Sequence, residues 1–185
     1  MVIGLLTGEK LYQKLLHAHQ YYLTYWSQHV LFSWQWFLGV ALLVIPAIAW
    51  IVWRDRRRAD RLQYAGLFVA LISAYLDYLG LFFGLWYYNY PVIPFTENYF
   101  PSSLTVLPIA VMSLIQFNPL KRPLFNAVLY AILSMVGLWI NSQLHLVTLI
   151  HWQYIYTAMI QFVIYLTAYF IATRHKFEPL QTKKH

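Results

Sequence analysis

At 185 residues, 61% of them hydrophobic and only 10% charged, the chain has too few polar side chains to cover a water-soluble domain, where about a quarter of residues are usually charged. The net charge of +7 falls in short basic segments between or after apolar stretches, so membrane topology accounts for it and nucleic-acid binding does not. With no cysteine, disulfides, thiolate metal sites and cysteine nucleophiles are excluded. Residues 1–33 come first and are amphipathic: Leu11, Leu15 and Leu16 recur at helical spacing among Lys10, Lys14, His17, His19 and Gln20. The run Tyr21, Tyr22, Tyr25 and Trp26 closes the segment. This pattern predicts an interfacial helix, with a disordered leader as the alternative. Glu9, Lys10 and Lys14 break the first apolar stretch, so no cleavable signal peptide is expected.

A transmembrane bundle is expected over 34–173, followed by a basic tail at 174–185. Its spans are placed at about 34–53, 64–87, 101–117, 124–140 and 152–172. Tryptophans bracket the first span, and Pro46 inside it predicts a kink that membrane helices tolerate. The 101–117 segment is the shortest and reaches roughly 25 Å at about 1.5 Å per residue, which leaves a partly re-entrant path open. The leucine-rich 141–151 segment is expected to follow the interface, and no internal repeat is visible. Arg54, Arg56, Arg57, Arg58 and Arg61 lie after the first span, Lys121 and Arg122 after the third, and Arg174, Lys176, Lys183 and Lys184 after the last. The 88–100 and 141–151 loops hold neither Lys nor Arg. The fold class that follows is an all-α integral membrane protein of about five transmembrane helices, N-terminus outside and C-terminus cytoplasmic, against which only Lys10 and Lys14 dissent.

Asp77 is the single acidic residue inside an apolar span, expected roughly halfway along the second helix. A carboxylate there is costly unless paired, hydrated or protonated. Ser73, Asp77, Gly80 and Gly84 share one helical face, and Gly80 and Gly84 have the GxxxG spacing that predicts a close helix crossing. Further polar stripes run through Asn126, Tyr130, Ser134 and Gly137, and through Tyr154, Thr157, Gln161 and Tyr165; Thr105, Met112 and Gln116 are candidates to face inward from the third span. One reading makes these groups hydrogen-bonding glue between helices. The other makes Asp77, Ser73, Gln116, Asn126, Tyr130 and Gln161 the lining of a ligand cavity. Glu97 in the outer loop is either a group at a pocket mouth or a solvated glutamate. His17, His19, His29, His145 and His151 fall on the predicted outer side without a metal-ligand spacing, so neither metal nor cofactor is expected.

Asp77-x-x-Gly80-x-x-x-Gly84-Leu85-Trp86-x-Tyr88 is followed by Pro91, Pro94, Phe100-Pro101-x-x-Leu104-x-x-Leu107-Pro108, Met112 and Gln116, with the arginine-rich loop before it and Trp152-x-Tyr154-Ile155-Tyr156 opening the last span. This pattern resembles an uncharacterised family of small multi-pass membrane proteins of spore-forming Gram-positive bacteria. The resemblance implies an all-helical protein of the bacterial cytoplasmic membrane and a role for Asp77, Gly80, Gly84 and Trp86, with Trp86, Tyr88 and Glu97 at the outer side. It also implies acids in relatives at Ser103, near Phe82 and near Asn141, which this chain lacks. Three functions are expected to compete. The first is a ligand-binding or transport protein built on Asp77. The second is a structural or interaction protein of the envelope, whose partners are the lipid bilayer and either a second copy or other membrane proteins. The third is a membrane enzyme, since Asp77 with Glu97 resembles the acids of small bacterial carotenoid cyclases.

Overall fold

A computed structural model describes residues 2–95 and 98–174. The chain is almost wholly helical: α1 Val2–Tyr25, α2 Trp34–Trp53, α3 Ala59–Phe82, α4 Leu107–Phe117, α5 Pro123–Gln143 and α6 Tyr154–Thr173, with short strands β1 Trp86–Tyr88 and β2 Val147–Leu149. A π-helical turn, Trp26–Val30, ends the first element, and another, Pro101–Val106, runs straight into α4. Four helices, α2, α3, α5 and α6, are long and apolar enough to cross a membrane; Pro101–Phe117 is apolar but shorter. Helix α1 covers most of the amphipathic segment and leaves Leu11, Tyr12, Leu15 and Tyr21 exposed. Trp26 fastens its end to the bundle by donating an indole hydrogen bond to the Pro91 carbonyl at 2.8 Å.

In lipid, apolar burial does not drive helices together, so their association rests on close van der Waals packing and internal hydrogen bonds. Small side chains provide the closeness here. Ala65 of α3, Ala127 of α5 and Ala168 of α6 are fully buried, and Val69, Val111, Tyr130 and Tyr165 fill the space around them. Gly66 admits the Met112 side chain, bringing α4 against α3.

Pro46 lacks the N–H that would satisfy the Leu42 carbonyl one turn earlier. The Thr105 hydroxyl takes its place, donating to Leu42 O at 3.0 Å while also reaching Pro101 O at 2.7 Å. The helix defect and the neighbouring π-helical turn are thus joined by one side chain. Thr105→Val, which keeps the shape and removes the donor, is expected to lower stability by about 1–2 kcal/mol in a detergent unfolding titration.

Two sequence boundaries need correction. The second span does not run to residue 87. It stops at Phe82, where Gly84 at φ +65° closes the helix: its N–H bonds Leu81 O at 3.0 Å and the Leu85 N–H bonds Gly80 O at 2.8 Å. These are the paired contacts of a Schellman motif, which glycine favours because the left-handed conformation is strained for other residues. Asp77 therefore lies near the end of α3, not halfway along it. The fourth span likewise continues to Gln143, and His145 at φ +56° closes it with the same two contacts, His145 N to Ser142 O at 3.1 Å and Leu146 N to Asn141 O at 2.9 Å.

These matched helix ends expose a repeat that the sequence hides. Each left-handed residue is followed by a short strand, and the strands pair antiparallel with Tyr87 opposite Thr148 at the centre. Tyr87 and Thr148 stand equally far beyond Gly84 and His145. The flanking bonds match as well: Asn89 N to Leu146 O at 3.0 Å and Ile150 N to Leu85 O at 2.9 Å. The C-terminal ends of α3 and α5 and the strands that follow them are thus related by a local two-fold through the strand pair. Within the 141–151 segment, α5 runs on to Gln143 and β2 follows, with Leu146 and Val147 buried.

Candidate functional site

Helices α3, α4, α5 and α6 border a half-open cavity of about 410 Å³ beneath the strand pair. Its wall is mainly apolar, with Leu76, Val106, Leu107, Leu133 and Ile160 among the lining side chains. Its polar groups come from several elements: Ser73 and Asp77 from α3, Ser103 from the π-helical turn, Tyr130, Ser134 and Asn141 from α5, and Gln161 from α6. Trp86, Tyr88, Tyr99 and Trp152 add the aromatic part of the lining.

Asp77 is 8% exposed and accepts three hydrogen bonds from the protein. The Trp86 indole donates to Oδ1 at 3.2 Å, the Tyr88 hydroxyl to the same oxygen at 2.7 Å, and the Tyr99 backbone N–H to Oδ2 at 3.3 Å. The early end of α3 makes this possible, because the chain turns back at Gly84 and delivers Trp86 and Tyr88 alongside the helix they follow. Asn98 donates to Ala74 O at 3.4 Å and helps bring Tyr99 in from the long loop. The Tyr88 and Tyr99 rings stack with centroids 5.3 Å apart, and Trp86 meets Trp152 edge-on at 4.8 Å. Burial, and then the neighbouring Asp77 carboxyl, lifts the Tyr88 phenol well above its ordinary range; burial pushes Tyr99 up to about 12. Both phenols stay protonated at physiological pH, so Tyr88 keeps a hydrogen to donate to Asp77.

Four polar side chains on the lining are buried with an unpartnered atom: Ser73 Oγ, Tyr99 Oη, Tyr130 Oη and Gln161 Oε1. Buried polar atoms are nearly always hydrogen-bonded in native proteins, so a group of orphans around one cavity is uncommon. Asp77, Ser73, Tyr130 and Gln161 are thereby brought together from the predicted set, and Trp86 and Tyr88 join them from the predicted outer loop.

The remaining predicted residues do other work. Gln116 lies at the arginine-rich end, accepting from Asp55 N at 2.9 Å and donating to Trp53 O at 3.2 Å, so it clamps the loop after α2. Asn126 is fully buried but holds the 118–123 turn, donating to Asn118 Oδ1 at 2.6 Å and accepting from Leu120 N at 3.2 Å. Neither borders the cavity. Gly80 and Gly84 do not form a helix crossing: the Trp86 ring occupies the space beside Gly80, and nothing packs on Gly84, whose role is the turn. Glu97 lies outside the described residues.

Tyr99, Ser103, Trp152 and Thr157 were not singled out as site residues. Tyr99 contributes to Asp77 through its backbone, which side-chain patterns do not reveal. Trp152 reads as an interfacial tryptophan, yet its indole donates to Thr157 Oγ1 at 2.8 Å and its ring closes on Trp86. Among the described residues, no three His, Asp or Glu side chains come together in a way that could hold a metal.

Comparison with protein-family models, curated proteins and solved structures finds no match to this chain.

Proposed function

We propose that the cavity between α3, α4, α5 and α6 binds a small, largely apolar molecule that carries a hydrogen-bonding group at its Asp77 end. The carrying observation is the cavity itself: about 410 Å³ of apolar-walled space bordered by Asp77 and by Ser73, Tyr99, Tyr130 and Gln161, each of which has a buried polar atom without a protein partner. Ligand sites have this composition, with apolar walls fixing affinity and a few polar groups fixing orientation. The family resemblance adds support, since Ser103 and Asn141, where it implies acids in relatives, both border this space, whereas Phe82 is exposed. A purely structural role for Asp77 is the second reading, favoured by the three protein donors that already tie it to β1 and to the loop before α4.

Gly137 provides the test. It borders the cavity, and a Cβ added there meets nothing within 4 Å. Gly137→Phe is expected to fold normally, fill the space and remove any bound molecule, read by native mass spectrometry as loss of a ligand adduct present in the wild type. An unchanged spectrum, or no adduct in the wild type, would sink the ligand reading.

The same proposal sets the protein in a bacterial cytoplasmic membrane with the strand end outside and the arginine-rich end inside. Arg54, Arg56, Arg57, Arg58, Arg61, Lys121, Arg122 and Arg174 support it, because short cytoplasmic loops collect Lys and Arg. Cysteines at exposed Gln143 and Arg57 make this checkable in intact cells: an impermeant thiol reagent is expected to label position 143 and spare position 57.

A further inference from the structure

The hydrogen bonds around Asp77 narrow the chemistry of the bound molecule, on the reading that the cavity holds one. Trp86 Nε1–H and the Tyr99 amide are obligate donors, and they approach different oxygens of the same carboxyl group. The Tyr88 hydroxyl makes the third contact, and its oxygen is the one atom among the three that can instead accept a carboxyl proton. Two obligate donors on separate oxygens suit a carboxylate, yet among the described residues Asp77 has no ion-pair partner; the one ion pair there joins Arg58 and Asp55 at the opposite end of the bundle. Three neutral donors soften the cost of a buried negative charge without cancelling it. A carboxylate also offers about four lone-pair positions, of which the protein fills three.

The unpartnered buried atoms on the lining include the Tyr99 and Tyr130 hydroxyls, which can donate or accept. Gln161 Oε1 is an acceptor only, and it is unpartnered in a residue 8% exposed. Ser73, one turn before Asp77 on α3 and 6% exposed, adds a hydroxyl that can accept. The cavity thus sets a carboxyl group that has no ion-pair partner among the described residues beside the aromatic side chains of Trp86, Tyr88, Tyr99 and Trp152. Aromatic side chains beside a carboxylate favour cations. An anion would meet Asp77 unshielded, and a neutral hydrocarbon would leave the fourth lone-pair position of the Asp77 carboxyl unanswered. A quaternary ammonium would bring a positive charge but no N–H for that position.

We infer that the cavity selects a lipophilic ammonium: a protonated amine with at least one N–H, carried on an apolar body that fits about 410 Å³. The amine sits against Asp77 and the body lies along the apolar walls between α4 and α5.

Three adamantanes of one shape separate charge from fit: 1-adamantylamine, 1-adamantanol and adamantane-1-carboxylate. Saturable binding of tritiated 1-adamantylamine is measured to the full chain in phosphatidylcholine nanodiscs, with empty nanodiscs subtracted and the other two as competitors. The amine is expected to bind saturably, with the alcohol at least about tenfold weaker and the carboxylate silent. Gly137→Phe, which keeps Asp77, is expected to abolish binding, and Asp77→Asn to weaken it at least about tenfold while the helical circular dichroism is retained. Should Asp77→Asn fail to fold, the amine-to-alcohol ratio on the wild type decides alone. Equal binding of amine and alcohol would overturn the ammonium assignment and leave the cavity as a site for neutral molecules. No amine binding at all would also overturn it, while the adduct experiment on Gly137→Phe judges the cavity separately.

Discussion

Asp77→Ala is expected to destabilise the protein by on the order of 4 kcal/mol, the largest effect of any single polar substitution in the bundle. Removing the carboxyl strands three donors at once, the Trp86 indole, the Tyr88 hydroxyl and the Tyr99 amide. Each buried donor left unpaired costs about 1–3 kcal/mol, and water enters only in part to relieve them. The damage is expected to spread beyond α3, because these bonds hold β1 and the loop leading to α4 in place. Asp77→Asn is the informative companion. Its carbonyl can serve Trp86 and Tyr88 while its amide then faces the Tyr99 N–H, so one donor is lost and the expected cost is roughly 1–2 kcal/mol. Thermal unfolding in detergent, followed by tryptophan emission, reads both. Equal stability of Asp77→Ala and wild type would show that these bonds do not hold the strand end together.

Gly80→Ala is expected to cost roughly 2–3 kcal/mol, although alanine is the better helix former by about 1 kcal/mol. A methyl at residue 80 would overlap the Trp86 ring, and that ring is fixed on its far side by Trp152 and through its indole by Asp77. Relief requires moving the tryptophan, which breaks its bond to the carboxylate. Gly137→Ala is the matched control, in a helix and beside the same cavity but with open space at its Cβ, and it is expected to stabilise by about 1 kcal/mol. Opposite signs for the two variants in the same unfolding assay would show that Gly80 is a contact position. A gain for both would mean that Trp86 does not rest on Gly80.

What the sequence yields and what it withholds follow from the physics of each signal. Long apolar helices announce themselves through composition, so α2, α3, α5 and α6 are legible to within a few residues at most ends. The exceptions are instructive. Trp86 and Tyr87 extend the apolar pattern of α3 without extending the helix, because Gly84 ends it by conformation, not by hydropathy. His145 does the same for α5 with no glycine to advertise it. The local two-fold rests on these helix ends and on backbone pairing, which different side chains serve equally well; Trp86 and Val147 occupy equivalent places.

In the site, Ser73, Asp77, Tyr130 and Gln161 were legible because helical periodicity places polar residues on inward faces. Gln116 and Asn126 follow the same periodicity but lie near helix ends, where turns need satisfying and claim them first. Gly80 shows a second limit. Its spacing with Gly84 matches a helix-crossing pattern, yet what approaches Gly80 is a side chain from its own hairpin.

The most direct test of the ligand cavity is an experimental structure of the full chain purified in native lipid nanodiscs without added ligand. Density inside the space bounded by α3, α4, α5 and α6, in contact with Asp77 and reaching Gln161 or Ser73, is the expected result. A closed core with Gln161 and Ser73 hydrogen-bonded to protein neighbours and no room left beside Asp77 would contradict it, and would leave Asp77 as the tie that holds the strand pair to the bundle.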